Sequence, residues 1–181
     1  MKFQKTRLQG VYVIDLEPRE DNRGYFTRVF GKDEIKKAGI QYTYSIVQIN
    51  RSLTVERGTI RGMHYQRKPK EEDKLVQCLF GEIFDVAIDL RRNSKTYGKW
   101  VGEILSAKNK KMLWIPKGFA HGFQTLTKDC VVEYFVSQYY SPKYEKGIRW
   151  NDPLFKIDWP IKKAKTSDKD SQWPFLGNSI L

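Results

Sequence analysis

The chain has 181 residues, 40% hydrophobic and 30% charged, which favours one domain spanning residues 1–181 with its own core and excludes a disordered chain. No apolar run approaches a membrane span and residues 1–6 carry no apolar signal region, so the sequence reads as a soluble, cytoplasmic protein. A net charge of +12 attracts phosphates, although the Lys-rich stretches 68–74 and 162–169 read first as solvated surface.

Residues 10–16 read as a first strand, 18–23 as a polar turn around Asp21-Asn22, and 24–30 as a second strand. Residues 32–38 form a short helix stopped by Gly39. Strands are expected over 42–50 and 59–66, then a charged loop over 67–73 and a strand over 74–80. Gly81 turns the chain into 82–90, the clearest alternation, with Phe84, Val86, Ile88 and Leu90 on one face and Asp85, Ala87 and Asp89 on the other. Strands over 98–106, 112–115, 119–126 and 131–139 complete the series, the last two joined at Lys128-Asp129. Beyond Pro142 the sequence is irregular, aromatic and punctuated by proline, as expected of a tail wrapping the outside of a sheet. Many short strands with frequent turn signals predict an all-β sandwich or barrel, and a jelly roll fits. Cys78 and Cys130 lie in apolar runs and read as buried free thiols, without metal or redox spacing.

The chain has only two histidines, the residue type whose ordinary pKa lies nearest neutrality. His64 sits in Arg61-Gly62-Met63-His64-Tyr65-Gln66 and His121 in Phe119-Ala120-His121-Gly122-Phe123. Two histidines do not complete a His-rich metal site, which leaves only a site completed by carboxylates open. A strand histidine is otherwise a core residue, a ligand contact or a base. A base needs a carboxylate on its far ring nitrogen, and Asp85, Asp89, Asp168 and Asp170 are all candidates between which spacing does not choose. Arg23, Arg28, Arg61 and Lys74 lie beside strands, as anion contacts or exposed charges. Tyr134, Tyr139 and Tyr140 are packing aromatics or pocket groups. Nucleic acid binding rests on charge alone and is not expected, because the aromatics fall in core-like strands.

Several motifs in order point further: Asp21-Asn22-Arg23-Gly24-Tyr25-Phe26, Gln48-Ile49-Asn50, the two histidine segments, Lys74-Leu75-Val76, Gly81-Glu82-Ile83-Phe84-Asp85-Val86 and Gly147-Ile148-Arg149-Trp150-Asn151-Asp152-Pro153. Together they closely resemble the dTDP-4-dehydrorhamnose 3,5-epimerase (RmlC-like) family over nearly the whole chain. The resemblance implies a cupin-type jelly roll, or double-stranded β-helix, with a few short helices, an irregular C-terminal tail, a homodimer and no cofactor. It implies epimerisation of a nucleotide-linked 4-keto-6-deoxy sugar at C3 and C5. By resemblance His64 is the base, Asp170 its carboxylate partner, Lys74 the cation near the C4 oxygen and Tyr134 the opposite-face acid. Tyr139 would stack on the nucleotide base, and Arg23, Gln48, Asn50, Arg61, His121, Glu145 and Lys169 would contact substrate. Arg28 stands where many members carry glutamate, placing a positive charge at the expected nucleotide end and making another nucleotide or a single-centre epimerase the alternative. A non-catalytic nucleotide-sugar-binding cupin is the third reading. Arg61 and His64 are three apart and Tyr134 and Tyr139 five apart, which an ideal strand puts on opposite faces; this predicts bulges, strand ends or a partner subunit's contribution.

Overall fold

The computed structural model describes residues 1–40 and 45–176, and within them apolar–polar alternation becomes thirteen strands and two short helices. The chain opens with β1 (Lys2–Lys5) and β2 (Tyr12–Asp15). A small hairpin of β3 (Arg19–Asp21) and β4 (Gly24–Phe26) follows, then helix α1 (Lys32–Lys37). Next come β5 (Gln48–Thr54), β6 (Ile60–Gln66), β7 (Lys74–Phe80), β8 (Glu82–Asp89) and β9 (Trp100–Ser106). The series ends with β10 (Lys111–Ile115), β11 (Phe119–Thr125), β12 (Cys130–Val136), β13 (Glu145–Gly147) and helix α2 (Asp168–Ser171).

Two antiparallel sheets face each other, one ordered β1-β2-β10-β7-β12-β5 and the other β13-β6-β11-β8-β9. From β5 to β13 every consecutive strand changes sheet except in the β8–β9 hairpin. That shuttling makes the sandwich a cupin-type jelly roll. The β7-to-β8 crossing uses Gly81 alone, at φ 77°, where an added Cβ would lie 2.6 Å from Thr127 Oγ1 and 2.8 Å from Cys130 Sγ.

Three apolar layers follow from strand parity. Val13, Val76, Leu113 and Val132 of the first sheet meet Ile83, Ala87, Phe119 and Phe123 of the second in the central core. The outer face of the first sheet, with Ile14, Leu75, Met112 and Phe135, is covered by Ile35 of α1. The outer face of the second sheet, with Ile60, Met63, Val86 and Ile88, is covered by Ile148, Phe155 and Trp159 of the tail. Both faces of β8 are therefore packed: Phe84, Val86 and Ile88 turn to the tail, Ile83 and Ala87 to the centre. Cys78 and Cys130 are buried free thiols, and burial pushes the Cys78 thiol up to about 12.

The structure revises several expected bounds. Residues 19–21, expected as turn, are a strand, and the turn shrinks to Asn22-Arg23. The second strand stops at Phe26. Of the strand expected over 42–50, residues 42–44 lie outside the described residues and pairing with β12 begins only at Gln48 and runs on to Thr54. The last long strand ends at Val136, before Tyr139. Lys74, expected within a solvated stretch, is buried.

Candidate active site

β6 departs from regular geometry between Arg61 and His64. Facing β11, His64 pairs with His121 and Arg61 with Phe123, so two residues of β6 oppose the single Gly122. This bulge resets parity: Ile60 and Met63 turn to the tail, while Arg61, His64 and Gln66 turn inward. Glycine is needed on both strands. A Cβ on Gly62, whose φ is 134°, would lie 2.5 Å from Gly122 Cα, and one on Gly122 would lie 2.7 Å from the Arg61 carbonyl.

His64 and Gln66, but not Arg61, line a cavity of about 310 Å³ at one end of the sandwich, together with Gln48, Asn50, Glu72, Lys74, Tyr134, Tyr140 and Glu145 among others. Register explains the assembly. Tyr134 lies opposite Asn50, Val136 opposite both Gln48 and Lys74, and Glu145 opposite Gln66. His64 thus projects from one sheet and Tyr134 and Lys74 from the other, across a gap of about 10 Å typical of packed sheets. A wider cavity of about 520 Å³ near Gln9, Trp114 and Lys117 holds none of the expected site residues.

His64 is 31% exposed, which sets it apart from a core histidine, and its Nε2 lies 2.6 Å from Asp170 Oδ1. Asp170 is brought there by α2, whose N-cap Ser167 accepts a hydrogen bond from the Asp170 N–H. The carboxylate also accepts from Gly62 N–H at 3.1 Å and Trp173 Nε1–H at 3.3 Å. Burial pushes the Asp170 carboxyl up, but these donors together with the charge of His64 outweigh it and hold the group below its ordinary range. An ionised carboxylate only accepts, so Nε2 carries the proton and Nδ1 is the basic nitrogen. Across the cavity, burial first and then the Glu72 charge raise the Tyr134 phenol, against a lowering by Arg61. Lys74 Nζ is 3.2 Å from Glu72 Oε1. Lys169 Nζ bonds both oxygens of Glu145, and Tyr140 Oη donates to the same carboxylate. Burial raises Glu145, but the bonds from Lys169 and Tyr140 prevail and lower it. Among the described residues no group of three or more His, Cys, Asp or Glu is arranged to hold a metal ion.

A base, a fixed cation and a phenol around one cavity suit proton transfer beside a carbonyl. The sequence matches the family described as dTDP-4-dehydrorhamnose 3,5-epimerase over residues 5–178. The chain belongs to that family. It is 45% identical to the dTDP-4-dehydrorhamnose 3,5-epimerase of Methanothermobacter thermautotrophicus, over 99% of this chain and 97% of that protein. It also resembles the crystal structure of the Bacillus anthracis dTDP-4-dehydrorhamnose 3,5-epimerase with TDP and PPi bound, at 42% identity and a TM-score of 0.92, covering 97% of this chain and 99% of that one. The Legionella pneumophila dTDP-6-deoxy-D-glucose-3,5-epimerase in complex with dTDP-4-keto-L-rhamnose superposes with a TM-score of 0.92 at 38% identity, covering 98% of this chain and 94% of that one.

Against the residues that the epimerase resemblance implies, the fold brings His64, Lys74, Tyr134, Gln48, Asn50 and Glu145 to the cavity, with Asp170 behind the histidine and Lys169 on Glu145. Arg61 faces inward, its guanidinium donating to Thr54 Oγ1 at 2.8 Å and the Leu53 carbonyl at 3.1 Å. His121 is buried and bonded to Asp85 at 2.8 Å, outside the cavity lining. Of the other carboxylates weighed as partners of His64, Asp89 binds Arg91, Ser94 and Thr96. Arg23 pairs with Asp21 at the β3–β4 tip and Arg28 with Glu34, both away from the cavity. Tyr139 is exposed just past β12 and does not line the cavity; Tyr140 does. Sequence reasoning missed Gln66, Glu72 and Trp173. Gln66 was findable, since it shares the face of His64 two residues on. Glu72 lies in a loop and Trp173 beyond α2, where no periodicity marks them.

Proposed function

We propose that the protein inverts C3 and C5 of dTDP-4-dehydro-6-deoxy-D-glucose, giving dTDP-4-dehydro-L-rhamnose. The observation that carries the reading is the cavity in which the His64–Asp170 pair faces Lys74 and Tyr134 of the opposing sheet. His64 Nδ1 removes the proton from a carbon beside the C4 ketone. The electron pair moves onto the oxygen as an enolate, which the Lys74 ammonium stabilises in a site partly screened from water. Tyr134 returns a proton from the opposite face, inverting the carbon, and its phenol, raised by burial, stays protonated for that task. His64 then loses and Tyr134 regains a proton through solvent, and the sequence repeats at the second carbon.

Among the described residues the Arg61 guanidinium donates to two neutral acceptors, the Thr54 hydroxyl and the Leu53 carbonyl, which suits it to the diphosphate. The reading includes a cytoplasmic, single-domain enzyme, in keeping with two free thiols, and a homodimer. The edge strand β5 supports the dimer, because it exposes Ile49 and Leu53 on its outer face, an apolar edge that isolated sheets avoid. A mass measurement in solution tests that part.

The enzyme reading is tested by incubating wild type and His64→Ala with dTDP-4-dehydro-6-deoxyglucose in heavy water and mapping deuterium by NMR. Label at C3 and C5 in wild type, absent in the variant, is expected. Label at one carbon gives a single-centre epimerase, and no label at either carbon refutes epimerisation. A His64→Ala rate equal to wild type removes His64 as the base.

A further inference from the structure

Glu72 lies on the cavity wall with no place in the proton transfers above. Its side chain is only 12% exposed, and each oxygen has a separate donor. Lys74 Nζ stands 3.2 Å from Oε1, and Gln66 Nε2 donates to Oε2 at 3.3 Å. Gln66 shares the inward face of His64 two residues earlier, and its amide is anchored besides: the two N–H groups of Nε2 are shared between Glu72 and the Lys70 and Tyr139 carbonyls, and Oε1 accepts from the Ser141 N–H at 2.7 Å.

We infer that Glu72 is a positioning residue of the site, fixing the Lys74 ammonium on one sheet against Gln66, and so against the strand of His64, on the other. The inference rests on the epimerase reading and adds a residue to it. Its logic is stereochemical. Two donors converge on the side chain, and only a carboxylate offers an acceptor to each. Its negative charge opposes an enolate, so what it contributes is the place at which the ammonium stands; positional error of about 1 Å costs a rate factor of about 100. The same charge also reaches Tyr134, which is faced by Glu72 from the loop before β7, Lys74 from β7, Arg61 and His64 from β6, and Glu145 from β13.

The test compares Glu72→Gln, Glu72→Asp and Glu72→Ala in the full chain. Gln is nearly isosteric but leaves one donor facing an amide NH₂, so it should fall with Ala, about 10- to 100-fold in kcat with KM within about threefold. Asp retains both acceptors and should recover part of the rate. The alkaline limb of kcat should move to lower pH in the Gln variant, because removing the Glu72 charge makes the Tyr134 phenol easier to ionise; a merely structural side chain would leave that limb in place. Wild-type kcat and an unmoved limb in Glu72→Gln overturn the inference. Crystal structures of wild type and Glu72→Gln decide the positional claim without any activity: a displaced Lys74 Nζ supports it and an unmoved one overturns it. If wild type shows no deuterium uptake, the epimerase reading fails while the crystallographic arm still judges Glu72.

Discussion

Replacing Asp170 by Asn changes one atom and should separate the chemistry of the dyad from its packing. Three donors converge on the carboxylate: His64 Nε2 at 2.6 Å and Trp173 Nε1 at 3.3 Å on Oδ1, and Gly62 N at 3.1 Å on Oδ2. An amide has one accepting oxygen. If its NH₂ takes the Oδ2 place it faces the Gly62 N–H, and a buried donor without an acceptor costs about 1–3 kcal/mol. If it takes the Oδ1 place, His64 Nε2 must accept, the ring proton shifts to Nδ1, and the base is lost. Either arrangement removes the charge that stabilises the imidazolium, so kcat should fall by about 10²–10⁴ with little change in KM. Deuterium uptake at C3 and C5 measures the rate, and urea unfolding measures the stability.

The same variant has a pH signature. The Asp170 carboxyl is lowered from its ordinary value of 3.8, so its contribution to stability is complete above that value and is lost as pH falls through the lower native pKa. The stability gap between wild type and Asp170→Asn should therefore be flat near neutrality and close in acid. Exchange within about threefold of wild type would refute the dyad as the source of basicity. A gap that widens as pH falls would refute the linkage.

Two further outcomes are expected. Gly62→Ala combines a φ of 134° with a Cβ 2.5 Å from Gly122 Cα, and should cost about 2–4 kcal/mol in urea unfolding; an unchanged midpoint would mean that β6 can lose its bulge without cost. Arg61→Met should raise KM about 10- to 100-fold and leave kcat within about threefold, as expected for uniform binding of a diphosphate. A fall in kcat at constant KM would instead place Arg61 on the reacting sugar.

Legibility tracked periodicity. β7 has the expected bounds of 74–80, and β8 shows the expected split between Phe84, Val86 and Ile88 and the opposite face, because both strands sit mid-sheet with a fixed environment on each side. β1 and β13 had no signal. β1 is a mainly exposed edge strand carrying a single apolar residue, Phe3, and the three residues of β13 become a strand only by pairing with β6. In the site, His64 and Arg61 could be named from local sequence. The partner of His64 could not be, since Asp85, Asp89, Asp168 and Asp170 were equivalent by spacing; only the family resemblance chose Asp170. Its approach depends on how the tail docks, through the Thr59–Lys165 bridge and the Trp173 ring, which leaves Gly147 no room for a Cβ.

The glycines around the two histidines are a consequence of what β6 must do. A regular strand would send Arg61 and His64 to opposite faces, leaving one of the two among the tail aromatics. Ile60 and Met63 must face that tail, since they fill the cluster with Ile148, Phe155 and Trp159. Satisfying both demands requires one extra residue between Arg61 and His64, and the extra residue must nearly touch the neighbouring strand. Only paired glycines allow that approach: Gly62 on β6 and Gly122 on β11. The Gly62 N–H, held at this bulge, then donates to Asp170. One insertion therefore sets the parity of His64, makes space against β11 and supplies a donor that favours the ionised form of Asp170.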